Sequence, residues 1–321
     1  MSNDRILNSR PHGLPLPPGG GPRLGQFPDA EATIKWLKRL NTDRESNEGV
    51  VYHVSIASRE YALKVFKFSH PRLHRYYRDM SLKHDTLPLK EAIWYTDPFY
   101  AECRAYGRIQ EAFKSGLVKE QMAVKCYGYL HLNKKNTNWL REGEGIDLDH
   151  QLLDPELCEA LDGDTRVRAI VKQFENGPTN IHAGNIRRAW RSVYLLNKYL
   201  KVYNMDIKAD NFIGHRLVNF GSSWTEPHML LDYLEGIKKN LAKASRLKDA
   251  VNFKNMIEEE EILTQLQVLA RSKHQLRSKG EPEWADRELP KRRRIGSPQL
   301  RKKLETSPHS AKGIWSSGQG G

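Results

Sequence analysis

The segment MDIKADNFIGHRLVNFGSSW (residues 205–224) sets an aspartate, a lysine and an asparagine just ahead of two short apolar runs. Phe212-Ile213 and Arg216-Leu217-Val218 read as short strands around Gly214-His215, a two-residue hairpin loop. Ahead of them, Asp206, Lys208 and Asn211 follow the pattern D-x-K-x-x-N. In such a loop the carboxylate can orient an attacking hydroxyl and the lysine can meet phosphate charge. The asparagine offers a neutral oxygen to Mg²⁺. The pattern is common in isolation, so its meaning depends on what surrounds it. Asn219-Phe220-Gly221 ends the unit.

Upstream, residues 182–203 place Ile186, Ala189, Val193, Leu196 and Leu200 on the inward stripe of an amphipathic helix. Earlier still, GVVYHVSIA (49–57) and YALKVFKF (61–68) are rich in β-branched and aromatic residues. The polar break at Ser58-Arg59-Glu60 joins them as a hairpin. On the second strand Lys64 shares a face with Ala62, Phe66 and Phe68 by the period of two. A lysine there is desolvated unless an anion meets it, at a cost of several kcal/mol. The alternative is a lysine snorkelling from an edge strand. PFYAECRAYGRIQEAFKSG (98–116) reads as a helix closed by Gly116. At ~100° per residue, Tyr106, Ile109 and Phe113 fall within about 40° of Glu102. Glu102 is thereby inward, with Lys64 as the economical partner, unless the helix is phased differently and the carboxylate faces solvent.

Further strands are expected in MAVKCYGYLHL (122–132) and VRAIVKQFE (167–175), with an acidic loop between them. A short helix is expected after Pro28, capped by Asp29, with Ile34, Leu37 and Leu40 at helical spacing. The basic, His-rich stretch 69–97 reads as an insertion, and 229–278 as a long helical region.

In this order the fragments resemble the protein-kinase fold: an A-x-K strand, a glutamate helix, a catalytic-type loop and a D-F-G-like turn. VKQFENG (171–177) falls where that fold has its hinge. PFYAECRAYGRI, MDIKADNFIG and LVNFGSSWTEPH look more closely like a fungal family of kinase-like proteins named for the Fta-two subunit of the kinetochore Sim-four complex. The likeness covers roughly residues 30–235. It implies an α+β, two-lobed protein-kinase-like fold with a small β-rich N-lobe and a reduced helical C-lobe. It further implies ATP contacts at Lys64, Glu102, Gln173, Phe174 and Glu175, catalytic roles for Asp206 and Lys208, and Mg²⁺ ligands at Asn211 and Asn219. The family name implies kinetochore partners and a nuclear location.

Departures from the kinase pattern weaken the catalytic reading. Asn219 stands where the D-F-G aspartate would chelate Mg²⁺, which forfeits one full charge of attraction. Asn204 and Met205 replace the histidine and arginine before the catalytic aspartate. Aligned on Gly49, the glycine loop would carry Arg44 and Ser46 at its earlier glycine positions. Ser222 to Pro227 leaves no room for an activation segment, and Glu226-Pro227 carries a Pro-Glu-like element only in reverse. The expectation is a pseudokinase acting as a scaffold subunit, with an atypical small ATP-dependent kinase using Asp206 as base as the alternative.

The chain has 321 residues and a formal net charge of +13, from 52 Lys+Arg against 39 Asp+Glu. That length supports a sizeable core, and the composition excludes fibrous and disulfide-scaffold classes. No apolar run approaches a membrane span, and MSNDRILNSR lacks the apolar stretch of a secretory signal. Cys103, Cys126 and Cys158 form no metal-binding spacing and read as core residues in a reducing compartment. The excess charge is concentrated after Arg271. Pro290-Lys291-Arg292-Arg293-Arg294 and Arg301-Lys302-Lys303 resemble a two-part address for a nuclear import receptor at 291–303. A solvated charge run or weak DNA contact by the tail is the alternative. Ser297-Pro298 and Ser307-Pro308 flank the second cluster, and phosphorylation of either serine would oppose its charge. The expected organisation is a disordered Pro/Gly-rich stretch at 1–28, an N-lobe with insertions at 29–174, a C-lobe at 175–278 and a disordered basic tail at 279–321.

Overall fold

The computed structural model describes residues 16, 20–41, 48–73, 88–148, 154–176, 181–237 and 239–268. Arg44, Ser46, the basic clusters at 290–303 and the two Ser-Pro dipeptides lie outside the described residues.

A five-stranded antiparallel sheet with order β1-β2-β3-β5-β4 leads the fold. Its strands are β1 (Ile34–Arg39), β2 (Gly49–Ile56), β3 (Arg59–Phe66), β4 (Cys126–His131) and β5 (Arg168–Gln173). Val50, Tyr52, Val54, Ile56, Tyr61, Leu63 and Val65 alternate onto one face and form a core with Leu130, Leu140 and Val171. The opposite face, which carries Ala62 and Lys64, looks towards helix α2 (Pro98–Lys114), preceded by α1 (Leu89–Thr96).

Two carboxylates, Asp97 and Glu102, tie α2 to the sheet. Asp97 caps the helix by accepting from Phe99 N (3.0 Å) and meets Arg168 of β5 at 3.0 and 3.2 Å. Both side chains are buried, and the guanidinium lies over Phe68 and Phe99. Glu102 makes the second connection, described below.

After β4 come two short helices, α3 (Lys134–Asn138) and α4 (Pro155–Ala160). Helix α5 (Ile186–Leu195) continues into a π turn, Leu196–Leu200. Ile186, Ala189, Val193, Leu196 and Leu200 are all buried, as their spacing requires. Small ladders follow: β6 (Val202–Tyr203) with β9 (Trp224–Thr225), and β7 (Phe212–Ile213) with β8 (Arg216–Leu217) around Gly214-His215. Helices α6 (Met229–Ile237) and α7 (Lys239–Glu259) complete the described body. Cys103 and Cys126 are buried core residues, and no disulfide forms. Among the described residues, no helix is long and apolar enough to cross a membrane.

Four expectations need correction. The segment after Pro28 is not a helix but strand β1. Trp36 stacks on Trp139 (4.7 Å) and meets Tyr52 edge-on (5.0 Å), while Leu37 and Leu40 are exposed. Pairing with β2 overrides a spacing that fits a helix only nominally. Nor is the first segment free of core residues up to 28. Leu16, Leu24 and Phe27 are buried, Leu24 N bonds Cys103 O (3.2 Å), and Phe27 N bonds Tyr129 O (2.8 Å). Gly107, inside α2, makes the crossing feasible, since a Cβ there would sit 2.6 Å from the Arg23 carbonyl carbon. The 69–97 stretch also contributes structure, because α1 buries Ala92, Ile93 and Trp94. At the other end, helix stops at Glu259, and 262–268 is irregular although 229–278 reads as helical.

Candidate functional site

Lys64 and Glu102 meet where β3 faces α2. Lys64 Nζ donates to Glu102 Oε2 at 2.9 Å, and the Glu102 side chain is fully buried. The register of β3 against β5 sets Lys64 opposite Ile170 and Ala62 opposite Lys172, so Lys172 projects from the same face. Its Nζ pairs with Glu102 Oε1 and donates to Val218 O at 2.7 Å. One carboxylate therefore sits between two lysines.

The other two hydrogens of the Lys64 ammonium are also engaged. One goes to Glu48 Oε2 at 3.0 Å and the other to Asn219 Oδ1 at 2.7 Å. Glu48 Oε1 accepts from Ser222 Oγ at 3.1 Å. Gly221 leaves space for this carboxylate, since a Cβ there would lie 2.4 Å from Glu48 Oε2. Two cations and two anions thus balance without an outside ion. Burial alone would raise the Glu48 carboxyl, but the Lys64 charge and the bonds from Lys64, Ser222 and Asn219 hold it below its usual value. Burial likewise opposes the Lys64 charge, yet Glu102 and Glu48 keep that ammonium above the ordinary lysine range. Lys172 moves the other way: burial lowers it, Glu102 only partly compensates, and Lys64 adds repulsion.

The loop after β6 forms a second cluster. Met205 adopts a left-handed backbone (φ 67°). Asp249 of α7 holds the bend by accepting from Asn204 N (2.6 Å) and Met205 N (2.7 Å). Asn197, with its amide oriented to donate, adds a bond to Asp249 Oδ2 at 2.9 Å. Burial pushes the Asp249 carboxyl up to about 6, against the pull of those N–H groups. Asp206 Oδ2 accepts from Asn211 Nδ2 at 3.0 Å and lies 3.2 Å from Lys208 Nζ. Asn204 joins the clusters, with its Nδ2 on Asn219 O (2.5 Å) and its Oδ1 on Asp206 N (3.2 Å).

The residues expected at a hinge, Gln173, Phe174 and Glu175, each have a partner elsewhere in the fold. Gln173 N bonds Lys125 O (2.8 Å), Phe174 stacks on His53 with centroids 3.6 Å apart, and Glu175 pairs with Arg216. His53 lies opposite Ala62, on the face that carries Lys64, so its ring covers the sheet end nearest Phe174.

The family model of the kinetochore Sim4 complex subunit FTA2 matches residues 13–224, about two-thirds of the chain. The chain belongs to this family. No curated protein matches it. The FTA2 match covers every residue of the Lys64 cluster and the Asp206 loop, whereas Asp249 lies beyond its end. It also takes in Leu24 and Phe27, in keeping with their place in the core.

In this FTA2-family chain Lys64 and Asn219, expected to meet phosphate and Mg²⁺, are already engaged by neighbouring groups. Lys64 has no donor left for a phosphate, and Asn219 Oδ1 already accepts from Lys64 and from Gly221 N (3.1 Å). Of the residues singled out from sequence, Lys64, Glu102 and Asn219 converge, and Asp206, Lys208 and Asn211 converge separately. The sequence does not single out Glu48, Lys172 or Asp249, and it marks Asn204 only as a departure from the kinase pattern. Strand parity could have revealed Lys172, which is two residues from an inward Ile170. Nothing local marks Glu48 or Asp249, whose roles arise only from tertiary packing.

Proposed function

We propose that this chain is a kinetochore complex subunit that binds protein partners from a two-lobed, kinase-like fold, with a β-rich N-lobe around β1–β5 and a reduced helical C-lobe around α5–α7. On this reading it is a pseudokinase whose crevice is filled by its own side chains. The observation that carries it is the Lys64 ammonium, whose three hydrogens go to Glu48, Glu102 and Asn219. Glu48 supplies the negative charge that a phosphate would bring, and the His53–Phe174 stack fills the other end. A kinetochore role implies work in the nucleus, and we assign entry to the basic clusters between 291 and 303, with weak DNA contact the lesser role of that tail.

The alternative, a small kinase with Asp206 as base, is kept in view by the half-exposed Asp206 and its Asn211 bond. Melting of the purified chain with and without ATP and Mg²⁺ or Mn²⁺ separates the two, alongside transfer of labelled phosphate by wild type and Asp206→Asn. A nucleotide at a hundred times its Kd would add ~2.7 kcal/mol and shift melting by several degrees. We expect no shift and no transfer. Transfer that disappears in Asp206→Asn would replace the scaffold reading with the kinase one.

A further inference from the structure

The outer side of α5 and its π turn bears no acidic residue. From Ile186 to Tyr203 the chain contains Arg187, Arg188, Arg191, Lys198 and Lys201 but neither Asp nor Glu. All five cations are exposed, as are Tyr194 (40%) and Tyr199 (50%). At ~100° per residue, Arg187, Arg191 and Tyr194 lie on one line along the helix. Lys198 extends it through the π turn, with its Nζ bonded to Tyr194 Oη at 2.5 Å and placed over both tyrosine rings. Among the described residues, the one ion pair made by these five cations is Arg191 with Glu120. Arg187, Arg188 and Lys201 have no acidic partner there.

We propose that this face docks an acidic segment of a partner protein, seating carboxylates on Arg187, Arg191 and Lys198 and apolar side chains against Tyr194 and Tyr199. Arginine and tyrosine are the residues enriched at the energetic centres of protein interfaces. Charge complementarity selects an acidic partner, and an arginine can take a carboxylate through two parallel bonds. A nucleic acid fits less well. Arg187, Arg191 and Lys198 form a single row about 16 Å long, and the charge excess of the chain lies after Arg271 rather than around this helix. The inference adds a location and a ligand chemistry to the scaffold reading, yet it does not depend on whether the Lys64 crevice is closed.

The test uses the full chain and a fluorescent 16-residue peptide of repeating Glu-Glu-Leu-Phe, with its Lys-Lys-Leu-Phe counterpart, a 20-base-pair duplex and a 20-nucleotide single strand as other arms. Anisotropy should show saturable binding of the acidic peptide and none of the basic one. Affinity should fall at least tenfold in Arg187→Glu/Arg191→Glu/Lys198→Glu, and several-fold in Tyr194→Ala/Tyr199→Ala. Unchanged melting of these surface variants keeps the comparison free of folding defects. Peptide affinity unaffected by either set of substitutions, or no peptide binding by wild type, would overturn the proposal. So would duplex or single-strand binding that is tighter than peptide binding and lost in the same charge variant. A nucleotide-induced melting shift would defeat the closed-crevice reading and leave this one standing.

Discussion

Glu48 Oε2 lies 3.0 Å from Lys64 Nζ, while its other carboxylate oxygen takes a hydrogen bond from Ser222. The carboxylate at the start of β2 is thereby fixed both to the sheet lysine and to the turn after Phe220. Removing its charge should leave Lys64 with only one anionic contact. Glu48→Gln is expected to lose about 1–3 kcal/mol at pH 7, the scale of a hydrogen bond to a charged group. Glu48 is depressed below 4.5 when folded, so its stabilisation is complete above that value and fades as pH falls through the folded pKa. Urea titrations at pH 7 and pH 4 should show the gap between wild type and Glu48→Gln narrowing on the acid side. A constant gap would mean that the Glu48 charge contributes nothing.

Glu102 has the more demanding position, because both lysines depend on it. Glu102→Gln leaves buried Lys172 without an anion and Lys64 with Glu48 alone, a change on the scale of 3–5 kcal/mol. Lys172→Met should cost less, since that ammonium already sits below its ordinary pKa and a methionine can occupy its path past Tyr106. Denaturant midpoints for the two variants and the double variant give the comparison. If Lys172→Met proved the costlier change, the balance of charge described above would be wrong.

The part of this site that sequence disclosed is the part governed by local periodicity. A two-residue period put Lys64 on the inner face of β3, and a 3.6-residue period put Glu102 on the inner face of α2. Both orientations hold, and the hairpin around Gly214-His215 forms as its turn residues imply. Glu48 and Asp249 were illegible because each acts on residues far away in the chain, across distances only the folded backbone closes. Strand β1 departs from its helical spacing for a related reason. Ile34, Leu37 and Leu40 satisfy a helical spacing, but the decisive contacts belong to Trp36, which finds Tyr52 and Trp139 only after folding. A Pro/Gly-rich context hides Leu24 and Phe27, two apolar residues that dock on Cys103 and Tyr129 through the main chain.

That docking makes a prediction at Gly107. Alanine normally stabilises a helix interior by about 1 kcal/mol relative to glycine. Here its Cβ would meet Arg23 backbone atoms at 2.6–2.8 Å. Gly107→Ala should therefore destabilise the protein and expose the segment around Arg23 to trypsin, with faster amide exchange at Leu24. Stabilisation with unchanged cleavage would show that residues 20–28 do not cross α2 so closely.

Asp249 gives an opposite pH signature from Glu48. Its two backbone donors favour the charged carboxylate, yet burial prevails and lifts the group to about 6 from an ordinary 3.8. Between those values the folded protein holds a proton that the unfolded chain has released. Stability from this group is thus greatest below 3.8 and is lost as pH rises through 6. Asparagine keeps an acceptor for one N–H but does not titrate. The advantage of wild type over Asp249→Asn should accordingly shrink by about 1 kcal/mol as pH climbs from 5 to 7. Paired urea titrations across that range measure it, with amide exchange at Asn204 and Met205 reporting whether the loop has loosened. An advantage that grows with pH would mean that the N–H donors, rather than burial, set the charge of Asp249.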